Sequence, residues 1–460
     1  VGVIGGHAVI IGGSIGGLVA ARTLSPKFDS VTVIDRDVLP EGAEDRKGVP
    51  QSPHAHALLI SGRMKLEKLF PGLTDELIAG GAVPFDPGYD LLFHQMGALR
   101  TRFASGQLGI SLTRAFLEQT IRRRVGALPN VRIHDRTAVS GLAGVPGRVL
   151  GVDLDDGRRL GASLVVDATG RSGGRTDRWL EALDCPAPKT TTVKIDVGYT
   201  TRVLHREPGE LHEGALLYLM SAVPPHDKRA AAVFAVEGNR WMVTLGGWHR
   251  AHAPVDPEGF TAFADALPSP YVSDLLARAK PVSDDDAHRF LYPAARRRWF
   301  ERLSRVPEGY VALGDAICSF NPLYGQGMTV ATLEAVELAR SLDRHGAATA
   351  AMARRYYRAA SKVIATPWQM STSSDFMYPE TTGAKGRTTD FMNRYVRQVM
   401  MASHVSVPAH RVMLNVQHLL APPASVVRPD TVVRSLLAAR RSPARAEVAA
   451  ARRTPSAPGA

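Results

Sequence analysis

The chain has 460 residues, enough to bury a large core and to form about two or three domains. Its apolar content is ordinary for a globular protein, and its formal net charge is +12. Much of that excess lies in an arginine-rich end from Arg434 onward, not on an internal basic face with interleaved aromatics, which argues against a nucleic-acid partner.

The two cysteines, Cys185 and Cys318, are far apart and make neither a disulfide framework nor a metal-ligand spacing. No metal is expected, and a reducing cytoplasm is the expected location. The apolar stretch from Val9 to Ala21 lacks a basic front and is too short to cross a bilayer. No membrane role is expected.

In chain order, His7 to Ile11 reads as a buried strand. Gly12-Gly13-Ser14-Ile15-Gly16-Gly17 follows, then Leu18 to Leu24 at helical spacing. Val31 to Ile34 is a second β-branched run, ending on Asp35. This is a β–turn–α–β unit of the length that binds dinucleotides. Gly12 allows the tight turn, and Gly17 allows close helix–strand packing. Ser14 stands where the fingerprint has its middle glycine. Asp35 stands where an acid meets a ribose hydroxyl.

Arg46 to His56 is a proline-punctuated loop carrying His54 and His56. Ala57 to Phe70 and Ser111 to Val125 read as helices, with a two-stranded hairpin from Asp90 to Phe103 between them. The run Arg122-Arg123-Arg124 reads as a solvated helix end. Short strands alternate with turns from Val131 to Asp167, the last opening into Ala168-Thr169-Gly170-Arg171. Thr190 to Leu204, Ala215 to Met220, Ala230 to Val236 and Trp241 to Leu245 form a sheet, with Glu237 to Arg240 as a hairpin turn. Glu258 to Ala279 reads as one helix.

Tyr310 to Leu313 is a short strand ending on Gly314-Asp315. A loop with Asn321-Pro322 follows, and Gly325-Gln326-Gly327 opens a helix that runs from Met328 to Leu342. Ala351 to Ala365 is helical, with breaks at Pro367-Trp368 and Tyr378-Pro379. The later helices carry Met392, Met400, Met401 and Met413, read either as core filling or as a pliable wall for an apolar ligand. Ser442 to Ala460 is Ala/Arg/Pro-rich and reads as disordered.

Two strand-end acids, each beside a glycine-rich helix start, lie about 300 residues apart. A nicotinamide dinucleotide needs one such unit, whereas FAD has work for both. Its ADP half takes the first unit. Its ribityl hydroxyls can donate to Asp315. Its ring edge gains negative charge on reduction and can rest at the Gly325–Met328 helix start.

Four stretches carry a family resemblance: VTVIDRD (Val31–Asp37), RKGVPQSPHAH (Arg46–His56), VVDATGR (Val165–Arg171) and LGDAICSFNPLYGQGM (Leu313–Met328). They resemble the flavoprotein monooxygenases of the p-hydroxybenzoate-hydroxylase-type fold. Within these, the chain is most similar to the flavin epoxidases of polyether antibiotic pathways, the lasalocid and monensin type. The resemblance implies an α/β fold: a Rossmann-like FAD-binding domain interrupted by a β-sheet substrate domain, plus a C-terminal helical region. The expected boundaries are residues 1–185 (with a substrate-facing insert near 80–103) and 288–345 for the FAD-binding domain, and 186–287 for the substrate domain. Residues 346–435 form the helical region and 436–460 a basic tail.

The residues expected at the cofactor are Gly12, Gly13, Ser14, Gly16, Gly17, Asp35, Arg36, Arg46, Arg114, Gly314, Asp315, Gly325, Gly327 and Met328. Pro322, Gly325, Gln326, Gly327 and Met328 are expected beside the ring. His54, Tyr199 and Tyr218 are candidates for the substrate. Ala168 stands where the family's aspartate–glycine motif has its glycine, which weakens an NADPH-contacting role there.

The implied reaction passes one oxygen from a flavin C4a-hydroperoxide to an apolar natural product, with NAD(P)H or a separate flavin reductase supplying electrons. Alkene epoxidation leads. Aromatic hydroxylation, a reductase or saturase activity, and a non-catalytic flavin-binding role are the alternatives. The Trp-x-Trp-x-Ile-Pro motif of flavin halogenases is absent.

Overall fold

The computed structural model describes residues 3–171, 173–221, 223–283 and 287–444. β1 (His7–Ile11), α1 (Ile15–Leu24) and β2 (Ser30–Ile34) form the first unit. Their strands belong to a parallel sheet in the order Tyr310–Ala312, Leu164–Asp167, β1, β2, Val131–His134. A sheet covered on both faces needs apolar residues on both, and Ala8, Val9 and Ile10 are all fully buried. The parallel pairing brings three distant strand ends, at Ile11, Asp167 and Ala312, to one edge. Ligands of open parallel sheets bind at that carboxyl edge. The helix Gly327–His345 packs against α1, so both glycine-rich helix starts lie on the same layer.

A nine-stranded sheet stands apart from this layer. Its longest strand, Thr190–His205, pairs antiparallel with Ala287–Arg298 and with Arg240–Gly247. Arg229–Val236 and Leu217–Ser221 follow. The early hairpin then joins in, Leu91–Gln95 lying parallel to Leu217–Ser221.

Several elements depart from the sequence reading. The helix expected from Ala57 starts at Ile60, and the one expected from Ser111 starts at Arg114. Ser111 instead ends a short strand, and Thr113 caps the helix by accepting from the Phe116 N–H. Glu258 to Ala279 is two helices, Pro257–Asp265 and Tyr271–Leu276. Pro268 and Pro270, which lack an N–H to donate, fall between them.

The break expected at Pro367 does not occur. One helix runs from Ala350 to Asp375 with Pro367 inside it. Its buried residues Tyr356, Ala360, Ile364, Pro367 and Ser371 recur every three or four positions. That continuous packed face outweighs the ~3 kcal/mol that an interior proline costs. The last helix, Pro429–Ala439, crosses the boundary expected at 435. Ser442 is buried and hydrogen-bonded to His404 Nδ1 at 2.7 Å, so the expected disordered end does not begin there; its remainder, 445–460, lies outside the described residues.

Candidate active site

The turn from β1 into α1 is built on backbone contact. Gly12 has φ of +108°, and a Cβ there would lie 2.5 Å from the Ala168 carbonyl oxygen. At Gly17 a Cβ would lie 1.8 Å from the Gly12 carbonyl oxygen. No other residue fits at Gly17, which lets the helix sit directly on the strand. Gly12, Ser14 and Gly16 border a large cavity, whereas Gly13 and Gly17 serve the packing behind it. Asp35, at the end of β2, accepts from the Gly13 N–H at 2.7 Å and from the Asp37 N–H at 2.9 Å. It also faces Arg46 Nη1 at 3.3 Å. Arg36 is exposed at the cavity mouth.

Arg46 and Arg114 meet on a residue the sequence reading missed. Glu118 accepts from Arg46 Nε at 2.8 Å, from Arg114 Nη1 at 3.0 Å and from Ser14 Oγ at 3.0 Å. Arg114 Nη2 donates in turn to Ser14 Oγ at 2.6 Å. The serine in the glycine position is therefore tied to the charged ladder. Burial pulls the Arg46 guanidinium down, but Glu118, Asp35 and Asp37 outweigh it and hold it above its ordinary value. Burial likewise pushes Glu118 up, and the two arginines more than reverse it. Arg114 stays below its ordinary value because burial and Arg46 outweigh Glu118. The i,i+4 spacing of Arg114 and Glu118 was the available sequence signal.

At the second strand end, Gly314 has φ of +67° and its N–H donates to Glu334 Oε2 at 2.6 Å. Glu334 is fully buried, and burial pushes its carboxyl up to about 8. Among the described residues nothing donates a hydrogen bond to Asp315. Burial raises its pKa, opposed by Arg171, Arg114 and Arg296. Its carboxylate lies 3.8 Å from where a Gly327 Cβ would stand. The chain then turns through Pro322–Tyr324, where Asn321 Oδ1 accepts from the Leu323 N–H at 3.1 Å. Gly325 has φ of +63° and presses on Ala57, where a Cβ would meet the Ala57 Cβ at 2.8 Å. Gln326 precedes the helix, buried, with its Oε1 unpartnered.

A second unforeseen carboxylate sits behind this turn. Asp375 is fully buried; its Oδ1 accepts from Trp248 Nε1 and Asn321 Nδ2, both at 2.8 Å, and from the Tyr324 hydroxyl at 3.2 Å. Its Oδ2 has no partner. Burial pushes the carboxyl up to about 7 against those three donors.

One cavity of about 660 Å³ joins these parts. It runs past Gly12, Asp35 and Asp315 to Pro322–Met328. Its far side is the sheet, through Tyr199, Leu217, Leu219 and Phe290, and the C-terminal helices. These residues fit FAD. Both helix starts open on the cavity, Asp315 offers a carboxylate with no donor among the described residues, and Gln326 presents an unpartnered oxygen.

The substrate candidates separate. Tyr199 lines the cavity and packs edge-on to His54 at 4.7 Å. His54 lies behind that wall: its Nδ1 meets Thr201 Oγ1 at 2.7 Å, and burial pushes it down to about 3. Tyr218 is also misplaced by the sequence reading. Side chains alternate along a strand, so with Leu217 and Leu219 at the cavity Tyr218 faces the helices behind the sheet. There its hydroxyl hydrogen-bonds Ser269 Oγ at 2.7 Å. Met392, Met400 and Met413 do line the cavity, joined by Met370 and Met377; Met401 fills the core instead. Among the described residues no cluster suits a metal ion, and no helix is long and apolar enough to cross a membrane.

No family model matches the chain. It is 35% identical over 396 residues to Protein Rv3254 of Mycobacterium tuberculosis, covering 82% of this chain and 81% of that protein. It is 24% identical over 380 residues to the FAD-dependent monooxygenase fsr3 of Gibberella fujikuroi, covering 76% and 68%. Among solved structures, PqsL of Pseudomonas aeruginosa, a probable FAD-dependent monooxygenase, superposes with a TM-score of 0.60. That match is 19% identical and covers 81% of this chain and 97% of PqsL. The flavin-dependent halogenase CmlS gives 0.64 at 18% identity, covering 90% and 76%, so the likeness to solved structures speaks for the fold. With the carboxyl-edge cofactor cavity and its two helix starts, the chain belongs to the family of Protein Rv3254, among the FAD-dependent monooxygenases of the p-hydroxybenzoate-hydroxylase-type fold.

Proposed function

We propose that the protein inserts one atom of dioxygen into an apolar natural product, with NAD(P)H as the electron source and alkene epoxidation as the reaction. Bound FAD, once reduced, supplies with dioxygen the oxygen atom that is transferred. The chain's own residues bind, orient and shield. The start of α1 and the Asp35–Arg46–Glu118–Arg114 ladder hold the ADP half, and Asp315 and the Gln326–Met328 backbone orient the other. Trp248, stacked on Tyr378 at 5.3 Å and pinned by Asp375, closes the cavity beside Tyr324 against water.

The observation that carries the reading is a shared cavity. The segment Asn321–Met328 and the methionines Met370, Met377, Met392, Met400 and Met413 border the same space. Methionine side chains adapt to irregular apolar shapes, which suits a flexible hydrocarbon body. Phenol hydroxylation gains from a base that takes the phenol proton, whereas alkene epoxidation does not. The cavity-lining histidines His56, His410 and His418 are pushed down to about 4, 3 and 4, first of all by burial, which leaves them weak bases. This favours the alkene.

The test is incubation of FAD-loaded protein and NADPH with polyene and phenolic substrates, followed by mass spectrometry and NMR of the products. An epoxide carrying one added oxygen is expected from the polyenes. Ring hydroxylation without epoxide would overturn the alkene assignment.

A further inference from the structure

The β-hairpin that joins the sheet early in the chain places a charge at the methionine-lined end of this cavity. Arg100 is 4% exposed and lines the cavity. Its Nη2 donates to Gln95 Oε1 at 2.5 Å and its Nη1 to Gln417 Oε1 at 2.9 Å. Its guanidinium carbon lies 4.2 Å from the centre of the Phe93 ring. Its Nε has no partner.

Among the described residues Arg100 has no counter-ion. No carboxylate among them pairs with it, and burial alone pulls it down, to about 9, leaving it charged at neutral pH. The cavity's other deeply buried arginines are different, since Arg46 and Arg114 share Glu118. The titratable groups that face this corner are His94, His404, His410 and His418. Burial pushes all four down, and Arg100 adds to the effect at the last three. They are neutral at pH 7, so among the titratable groups of the described residues that face this corner Arg100 alone is charged. Two amide oxygens and a ring face satisfy part of a guanidinium, but an uncompensated buried charge is among the costliest features an interior can hold.

We propose that Arg100 is the counter-ion for a carboxylate on the substrate, so that the protein prefers amphipathic acids to neutral molecules of the same apolar body. This rests on the oxygenase reading and names its substrate class. A carboxylate balances one guanidinium, whereas a phosphate, at about −1.5 to −2, leaves excess negative charge in an apolar setting. Met96, Met400 and Met413 stand in the same cavity, positioned for the acid's apolar body. The corner is tied to the flavin segment: His418 Nδ1 accepts from the Ile60 N–H at 3.3 Å, and nearby Ala57 presses on Gly325. An acid held at Arg100 therefore lies along the methionine wall that leads to the ring.

Calorimetric titration of the FAD-loaded protein, without NADPH, tests this. The probes are 2-naphthoate and dodecanoate, each against its primary amide, with 2-naphthol as a third aromatic arm. At least one acid is expected to bind more than tenfold tighter than its amide, the scale of a charge-assisted hydrogen bond. Arg100→Met is expected to reduce that preference below twofold, with amide affinity and FAD content unchanged. Arg100→Lys, which keeps the charge, is expected to retain a several-fold preference. Neither acid exceeding its amide in the wild type overturns the proposal, as does a preference that survives Arg100→Met. Tighter binding of 2-naphthol than of 2-naphthoate also overturns it. If Arg100→Met does not fold, the wild-type and Arg100→Lys titrations still decide the question. No turnover enters this measurement, so its failure leaves the oxygenase reading standing. An intact preference in a protein that incorporates no oxygen would overturn that reading alone.

Discussion

Replacing Asp315 by alanine separates a ligand contact from a structural one. Nothing among the described residues donates to this carboxylate, and burial holds its pKa above the ordinary value against the pull of Arg171, Arg114 and Arg296. A carboxyl that binds its proton more tightly folded than unfolded contributes no stability as a carboxylate at neutral pH. Its loss should therefore change apoprotein stability by less than ~1 kcal/mol. For bound FAD the balance reverses, because a ribityl hydroxyl donating to a buried carboxylate is a charge-assisted hydrogen bond worth about 1.5–3 kcal/mol. Removing it should weaken FAD binding by roughly 10- to 150-fold. Asp315→Asn, which keeps an acceptor oxygen but not the charge, should fall between. The assay is fluorescence titration of apoprotein with FAD, alongside urea unfolding of the same apoprotein. FAD affinity within threefold of wild type refutes the placement. So does a loss of affinity matched by an equal loss of apoprotein stability, because the side chain is then structural.

Gly17→Ala should destabilise the apoprotein by about 1–3 kcal/mol or more, the cost of forcing atoms into a packed core, since its Cβ would sit 1.8 Å from the Gly12 carbonyl; urea unfolding measures it. Asp375 gives a pH signature. Its carboxyl is raised to about 7, so between about pH 4 and pH 7 the folded chain holds a proton that the unfolded chain releases, and stability falls as pH rises through that window. Asp375→Asn should remove that component, on the order of 3 kcal/mol between pH 4.5 and pH 7.5, as read from the wild-type-minus-variant difference in urea unfolding. Tyr218→Phe should cost about 1 kcal/mol through the lost Ser269 bond while leaving product formation unchanged, because Tyr218 faces away from the cavity.

The parts legible in the sequence are those decided by the local backbone. Gly17 is required by its contact with Gly12 inside one turn and Gly12 by its own φ of +108°, and the residue type states both requirements. Asp35 and Asp315 are readable because each ends a short β-branched or apolar strand. The two units, about 300 residues apart, were paired because a single ligand would demand both, and the structure does bring them to one cavity. What escaped depends on chain segments meeting in space. Arg46 finds Glu118 across 72 positions, and Asp375 finds Asn321 across 54. Arg100 and Gln417 are 317 apart, so a hairpin arginine with a buried role looked like any surface arginine. Pro367 was misread because propensity is a local quantity and the packed face of its helix is not. Tyr218 was a different kind of miss: period-two alternation with Leu217 and Leu219 would have turned it away from the cavity, had the cavity face been known.

The central claim is that this chain uses bound FAD to put one atom of dioxygen into a substrate held along the methionine wall. Product mass spectrometry under labelled dioxygen tests it most directly, with NADPH and an unsaturated long-chain acid as substrate. The account predicts one labelled oxygen atom per product molecule, none when the label is in water, and no product from protein stripped of FAD. Product whose added oxygen comes from water, or forms equally without FAD, would contradict it.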